Sequence, residues 1–348
     1  MTDVVFDVSD GVGTILLNRP KAINALTHDM VREIDAQLIE WESDSAVRVV
    51  LLKGAGDRGL CAGGDIVSIY EDARSGGRAS ADFWRDEYVM NSRIGRYPKP
   101  FVAIMDGIVM GGGVGIAAHA SVRVVTERSK VGMPEVGIGF VPDVGGTWLL
   151  ARSPGQTGVH VALTTARMSA ADAIATGFAD HLVPSELLEE FEKALRTGSV
   201  DDAVSGFART PDDSALMAQR EWIDDLYAGD DASDIVNRLR ESGIDEAVDA
   251  ANAVESKSPT SVSVTLRSIR QAERTSSLET VLNQEYRISV ACLSSPDLVE
   301  GIRAQVIDKD RSPSWAPATL AEVTSGDVDR FFASLGDAEL DLAEPDQQ

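Results

Sequence analysis

Two carboxylates eight residues apart, Glu135 and Asp143, lie in MPEVGIGFVPDVGG (133–146), shortly after the glycine run of MGGGVGIAAHA (110–120). Paired acids supply a proton donor, a proton acceptor or a nucleophile. Glycines at a helix start expose backbone N–H groups that act as fixed donors. The combination suits a reaction at a carbonyl carbon whose oxygen gains negative charge, because donors fixed in advance stabilise that charge without reorganising. A second glycine pair, in CAGGDI (61–66), follows an apolar strand-like run. Two separate backbone segments can therefore each direct one N–H at a common oxygen. Glu135 follows Pro134 between apolar residues, where an unpaired carboxylate is costly, so it reads as functional rather than as a solvated charge.

Other candidates carry less chemistry. Read as Gly113, Gly115 and Ala118 after an apolar strand, the glycine run imitates a dinucleotide fingerprint, with Glu127 as the ribose-binding acid. That acid should stand about 20 residues on, and Glu127 is too near. Asp65 reads as a residue that caps or orders its loop. Cys61 has no histidine close in sequence and reads as a small buried apolar side chain. His119 reads as packed or hydrogen-bonded.

The elements that hold these residues follow from periodicity. Residues 1–18 alternate apolar and polar around Asp10-Gly11, as in an antiparallel hairpin. Met30, Ile34, Leu38 and Trp41 stand at helical spacing behind a Thr27 cap, and VRVVLLK (47–53) follows as a β-branched buried strand. A polar helical stretch at 79–96, the strand FVAIM (101–105), a helix opened by the glycine run and the strand VRVVTE (122–127) come next. Strand, glycine turn and helix recur, which predicts an α/β fold with strand–helix turns stacked in a spiral or parallel sheet. From about residue 160 the pattern is helical. SAADAIATGFADHLV (169–183) predicts a helix stopped at Gly177, residues 187–255 hold amphipathic helices without strand signals, and 259–310 predict two more helices. The segment 320–348 carries eight acids and one base and predicts a solvated tail with a frayed end.

Composition bounds the function. The 348 residues are 43% hydrophobic, enough for a full core. A formal charge of −24 repels nucleic acid and anionic membranes. A phosphate-bearing ligand then needs a local basic patch, for which Arg19 and Lys21 in NRPKAINAL are the nearest candidates, with solvated loop charges as the equal alternative. Two cysteines without CxxC spacing and four histidines point to neither a disulfide framework nor a zinc site. The N-terminus, MTDVVFDVSDGVG, is acidic early and lacks a basic start and an apolar run, which predicts a chain that stays in the cytoplasm.

NRPKAINAL, CAGGDI, MGGGVGIAAHA, MPEVGIGFVPDVGG and SAADAIATGFADHLV, in that order, resemble the crotonase (enoyl-CoA hydratase/isomerase) superfamily. The resemblance implies a spiral of stacked ββα units over 1–190, a helical region over 191–348 that covers the site and takes part in oligomer formation, and an acyl-CoA thioester as substrate. No cofactor is implied beyond the CoA of the substrate, and the partners are the acyl-CoA and further copies of the chain, with neither nucleic acid nor membrane. By position, the oxyanion-binding amides are those of Gly64 and Gly112. Hydratases of the superfamily use two glutamates, and their positions here hold Gly115 and Glu135. Asp143 in FVPDVGG instead resembles the 3-hydroxyisobutyryl-CoA hydrolase branch, as do WRDEYVMN, SKSPTSVSVTLRSIR, NQEYRIS and SPDLVEGIRAQVIDKDRSPSW. That branch implies Glu135 as nucleophile or general base, Asp143 holding the substrate hydroxyl or the water, and Glu87 as a substrate-contacting acid. For Glu87 the alternative is a surface charge neutralised by Arg85 or Arg93. Gly63, Asp65, Lys21 and Ala22 are expected along the substrate. The rivals are a hydratase, dehydratase or isomerase on another acyl-CoA, and an acyl-CoA-binding protein without catalysis.

Overall fold

The computed structural model describes residues 2–344. The chain divides into two compact units, each built from three stretches: Met1–Gly64, Val89–Val131 and Arg167–Ala215 in the first, and Asp65–Tyr88, Gly132–Ala166 and Leu216–Gln348 in the second.

The first unit is a sheet with helices. β1 (Val4–Ser9) and β2 (Val12–Leu17) form the expected hairpin, turned by Asp10 and Gly11, whose φ angles of 52° and 80° are those of a tight two-residue hairpin turn. Helix α1 (His28–Ser43) is capped by Thr27, whose side chain accepts from the Met30 N–H, and it buries Met30, Ile34, Leu38 and Trp41. It returns the chain to β3 (Val49–Gly54), which lies parallel to β2. Helices α2 (Ile66–Ser75) and α3 (Ala79–Gly95) precede β4 (Phe101–Met105), β5 (Ile108–Met110), α4 (Gly112–Ala117), β6 (Val122–Val125) and β7 (Lys130–Gly132).

After α5 (Gly146–Arg152), α6 (Thr157–Thr164) and α7 (Ala170–Ala175), a two-residue strand β8 (His181–Leu182) completes the main sheet, in the order β1-β2-β3-β4-β6-β8. All pairs after the first are parallel, and β5 and β7 form a separate pair. Alternate residues of the strands, Val49 and Leu51, Val102 and Ile104, share one face and pack with Phe191 and Leu195 of α8 (Leu188–Thr197) and with α9 (Val200–Phe207). This is an α/β fold with stacked strand–helix turns.

The second unit is helical. It contains α2, the first part of α3, α5, α6, then α10 (Ala215–Ala218) at the boundary, α11 (Arg220–Leu226), α12 (Ala232–Glu241), α13 (Asp245–Glu255), α14 (Pro259–Ala272), α15 (Leu278–Cys292) and α16 (Pro296–Ile302). The last two long helices, α14 and α15, are buried along much of their length and pack on α5.

Three expectations are corrected. Residues 259–310 form three helices and a π-helical turn, Arg303–Ile307, because Ser277 and Ser295 each start a new helix where two were expected. The helix that opens 169–183 stops at Gly177, φ 82°, as expected, behind a Ser169/Asp172 capping box, but no strand was expected beyond it, and His181–Leu182 join the sheet as β8. The tail to residue 344 is not merely solvated. Phe331 and Leu340 are buried, Arg287 of α15 pairs with Glu339 at 2.8 Å, and Asn283 donates to the Leu342 carbonyl at 3.0 Å. The expected fraying of the terminal EPDQQ concerns residues that, from 345 on, lie outside those described. Among the described residues no helix is long and apolar enough to cross a membrane.

Candidate active site

In the first unit the candidate groups are backbone amides. The CAGGD loop leaves β3 and runs beside β5: Cys61 N donates to Ile108 O at 3.2 Å and accepts back through its carbonyl from Met110 N at 3.0 Å. On its other side Leu26 N donates to Gly63 O at 2.8 Å, and Leu26 forms a parallel bridge with Gly64. The chain then turns through Gly111, at φ 51° and ψ −121°, into α4. Two glycines are required by this close approach. Gly63 has φ +113°, and a Cβ there would stand 3.3 Å from Met110 O and 3.7 Å from Gly112 N; a Cβ on Gly113 would stand 2.4 Å from Cys61 O. The CAGGD loop and the glycine turn thus lie side by side, and Gly112 opens a helix, where the first amides have no acceptor in the helix itself. Cys61 is buried and forms no disulfide, and its Sγ accepts from the Gly63 N–H, with 3.4 Å between Sγ and the nitrogen.

In the second unit the candidate groups are acids. Glu135 starts a short 3₁₀ turn (Glu135–Ile138) that ends at Gly139, φ +71°, where any Cβ would strike the Asp297 carbonyl. Its side chain is buried, and Oε2 has no protein partner. Asp143 is buried and accepts from the Tyr88 hydroxyl at 2.8 Å; the same hydroxyl lies 2.7 Å from Ser289 Oγ of α15. Glu87, beside Tyr88 on α3, is buried with Oε1 unpartnered. Trp84, one turn before Tyr88, stacks on Phe140 at 5.1 Å between ring centres.

Burial pushes all three carboxyls up. Asp143 is raised to about 7 by desolvation, against the Tyr88 hydrogen bond that favours its ionised form. Desolvation, followed by the Asp143 charge, holds both Glu87 and Glu135 well above the usual carboxylate range. Such a cluster can exchange protons with a bound molecule.

The remaining site candidates fall as follows. Lys21 and Ala22 are exposed at a 3₁₀ turn (Pro20–Ala22) in the first unit. Arg19 donates to Ala25 O at 2.6 Å in its own loop and lies 3.6 Å from Asp3. Asn24, which the sequence reading missed, is fully buried in that loop at φ 54° and donates to Ala55 O and Gly59 O at 3.0 and 3.1 Å. Asp65 stands at the N-cap position of α2 but makes no capping bond with it, because its backbone departs from the extended geometry that aims a cap inward. Neither arginine neutralises Glu87: Arg85 donates to Ala338 O and Glu339 O at 2.7 and 2.9 Å, and Arg93 pairs with Asp35 at 2.7 Å. Tyr88, Glu285 and Ser289 were also missed, although WRDEYVMN and NQEYRIS contain them. Among the described residues no group of His, Cys, Asp and Glu side chains is arranged to hold a metal ion, and Cys292, like Cys61, is buried and forms no disulfide.

Comparison with known proteins adds the family. The family model described as enoyl-CoA hydratase/isomerase matches residues 12–332. The chain is 42% identical over 352 residues to a mitochondrial 3-hydroxyisobutyryl-CoA hydrolase of Danio rerio, covering 98% of this chain and 92% of that one. With its Homo sapiens counterpart it shares 38% over 349 residues, covering 97% and 90%. Among solved structures it is similar to a carnitinyl-CoA dehydratase from Mycobacterium thermoresistibile, with TM-score 0.95, 55% identity and 98% of each chain covered. It is also similar to an enoyl-CoA hydratase from Rhodobacter sphaeroides, with TM-score 0.93, 40% identity, and 98% of this chain and 100% of that one covered. The cytoplasmic location expected from the N-terminal residues is overturned by the curated relatives, whose names place them in mitochondria. The chain belongs to the enoyl-CoA hydratase/isomerase family and is similar over almost its whole length to the 3-hydroxyisobutyryl-CoA hydrolases.

Proposed function

We propose that the chain hydrolyses the thioester of a short 3-hydroxyacyl-CoA, 3-hydroxyisobutyryl-CoA, to 3-hydroxyisobutyrate and free CoA in valine breakdown. The observation that carries this reading is the buried set Glu87, Glu135 and Asp143, with an oxygen unpartnered on each glutamate. Buried acceptors without donors are costly, and a substrate hydroxyl and a water supply the missing donors. The names of the curated relatives support the same chemistry.

In this reading the amides of Gly64 and Gly112 receive the thioester oxygen as the carbonyl carbon becomes tetrahedral. Glu135 takes a proton from water as the new C–O bond forms. The C–S bond then breaks, the carbonyl re-forms, and the proton passes to the departing thiolate. Asp143 and Glu87 hold the 3-hydroxyl and the water. If Glu135 attacks the carbon itself, the C–S bond breaks, the CoA thiolate leaves and takes up a proton, and the mixed anhydride that remains is cleaved by water. In a single turnover in ¹⁸O-water, label found in Glu135 marks carboxylate attack with cleavage at the glutamyl carbon. Lys21, Ala22, Gly63 and Asp65 line the CoA arm in this proposal. The region 191–348 covers the site and associates into a homo-oligomer, which light scattering tests.

A second reading has one observation in its favour: the 55%-identical structure bears the name of a dehydratase. Against it, Gly115 stands where hydratases of the family carry their first glutamate, leaving one fewer acid for proton transfer at the α and β carbons. Thiol release from 3-hydroxyisobutyryl-CoA beside hydration of crotonyl-CoA decides between them. Thiol release without hydration is expected; hydration without thiol release defeats the proposal. CoA binding with no turnover of any acyl-CoA defeats both readings in favour of a binding protein.

A further inference from the structure

Asp143 is held by a second set of buried side chains that the hydrolysis itself does not use. The residue after it, Val144, is fully buried with φ +55°, a conformation that a β-branched residue adopts only when its surroundings impose it. The backbone directly after it is bound by Glu285 of α15. Its Oε2 accepts from Gly145 N at 2.6 Å, and its Oε1 accepts from Thr147 N at 2.9 Å and from the Thr147 hydroxyl. Three donors satisfy one fully buried carboxylate, which thereby pins the backbone on the C-terminal side of Asp143.

One turn along the same helix, Ser289 meets the Tyr88 hydroxyl, which donates to Asp143 Oδ2. A phenol has one proton, so with that proton on Asp143 the Ser289 hydroxyl is the donor to Tyr88. The chain of bonds runs Ser289 to Tyr88 to Asp143. It occupies Oδ2 of Asp143.

We propose that Glu285, Ser289 and Tyr88 are positioning residues for Asp143: Glu285 holds the strained 143–147 turn, while the Ser289–Tyr88 relay fixes the carboxyl rotamer for the substrate hydroxyl or water. The proposal rests on Asp143 taking part in the reaction. The titratable groups facing Asp143 are Glu87 and Tyr88 from α3, Glu135 from the preceding turn, and Glu285 and Cys292 from α15. The hydrogen bond from Tyr88, together with one from the backbone of Asp143 itself, favours the ionised form, so loss of the Tyr88 bond raises the point at which Asp143 ionises.

The test is kinetic, with thiol release read over pH. Tyr88→Phe is expected to lower kcat by about 10- to 100-fold with KM nearly unchanged, as for a lost hydrogen bond to a charged group, and to move the acidic limb of the pH profile upward. Ser289→Ala should act in the same direction and less, with Ser289→Thr restoring the wild-type profile. Glu285→Gln should speed amide hydrogen exchange at Gly145 and Thr147. Wild-type kcat and pH profile in folded Tyr88→Phe, or in Ser289→Ala should Tyr88→Phe not fold, overturns the relay. A lower kcat with an unmoved pH profile also overturns it, since that marks a structural role alone. Unchanged exchange in Glu285→Gln overturns the clamp. Asp143→Asn separates the two levels: full activity there removes the reading of the site, whereas an inactive Asp143→Asn beside wild-type Tyr88→Phe removes only the relay.

Discussion

The two units prepare for chemistry in opposite ways. Among the described residues the first unit buries one acid, Asp172, and uses it in a helix cap; the second buries six, Glu87, Glu135, Asp143, Glu279, Glu285 and Asp297. What the first unit offers is main chain: a loop and a glycine turn so close that side chains are excluded at Gly63 and Gly113. A backbone donor cannot ionise and needs only correct geometry, which a parallel sheet supplies through strand register. A buried acid must be kept from collapsing onto a counter-ion, which helices do by surrounding it with apolar and neutral hydrogen-bonding groups. The difference teaches that stability favours the first arrangement and opposes the second, so the cost of function falls mainly on the helical unit.

The largest effect should come from the acids. Glu135→Gln is expected to reduce kcat by about 10³-fold with little change in KM, since it removes proton transfer or nucleophilic attack and leaves the CoA contacts; wild-type turnover would break the assignment of chemistry to the second unit. Next is the backbone side. Gly113→Ala places a Cβ 2.4 Å from Cys61 O, which forces loop and turn apart, and about a 10²-fold loss of kcat with a lower Tm is expected. A variant that keeps both activity and Tm would show that the close approach is dispensable.

Stability should answer with the opposite sign. Burial raises the folded Glu87 carboxyl above its unfolded value, so its ionisation costs the native state nothing at low pH and progressively more as pH rises past the unfolded value, up to the folded one. Glu87→Gln is therefore expected to stabilise the chain by about 0.5–2 kcal/mol at pH 8 and by less at pH 5, with lower activity; urea unfolding at the two pH values checks this, and destabilisation at pH 8 would contradict it. The smallest effect belongs to the first unit's partly exposed pair Lys53–Glu192, at 2.6 Å. Lys53→Met should change stability by no more than about 1 kcal/mol and leave kcat alone.

Legibility in the sequence follows the same division. Strands β1, β3, β4 and β6, helix α1 with its Thr27 cap and the helix after the glycine run are all local patterns, and each stands where periodicity put it. Glu135 and Asp143 were legible because glycine and proline mark their turns. Tyr88, Ser289 and Glu285 were not, because their partners lie 55 to 201 residues away and nothing local separates a buried tyrosine or glutamate from its exposed counterpart. Strand β8 was hidden by its two-residue length, and the tail's packing by its acidity, which reads as solvation although Arg85 and Arg287 hold residues 338 and 339.

The central claim is that the amides of Gly64 and Gly112 and the acids Glu135 and Asp143 serve one thioester. A crystal structure with a non-hydrolysable thioether or ketone analogue of 3-hydroxyisobutyryl-CoA measures this directly. The expected result is a carbonyl oxygen about 3 Å from both amide nitrogens, with Glu135 facing the carbonyl carbon and Asp143 on the hydroxyl. An analogue whose carbonyl reaches neither amide, or whose acyl group lies away from both acids, would contradict the account.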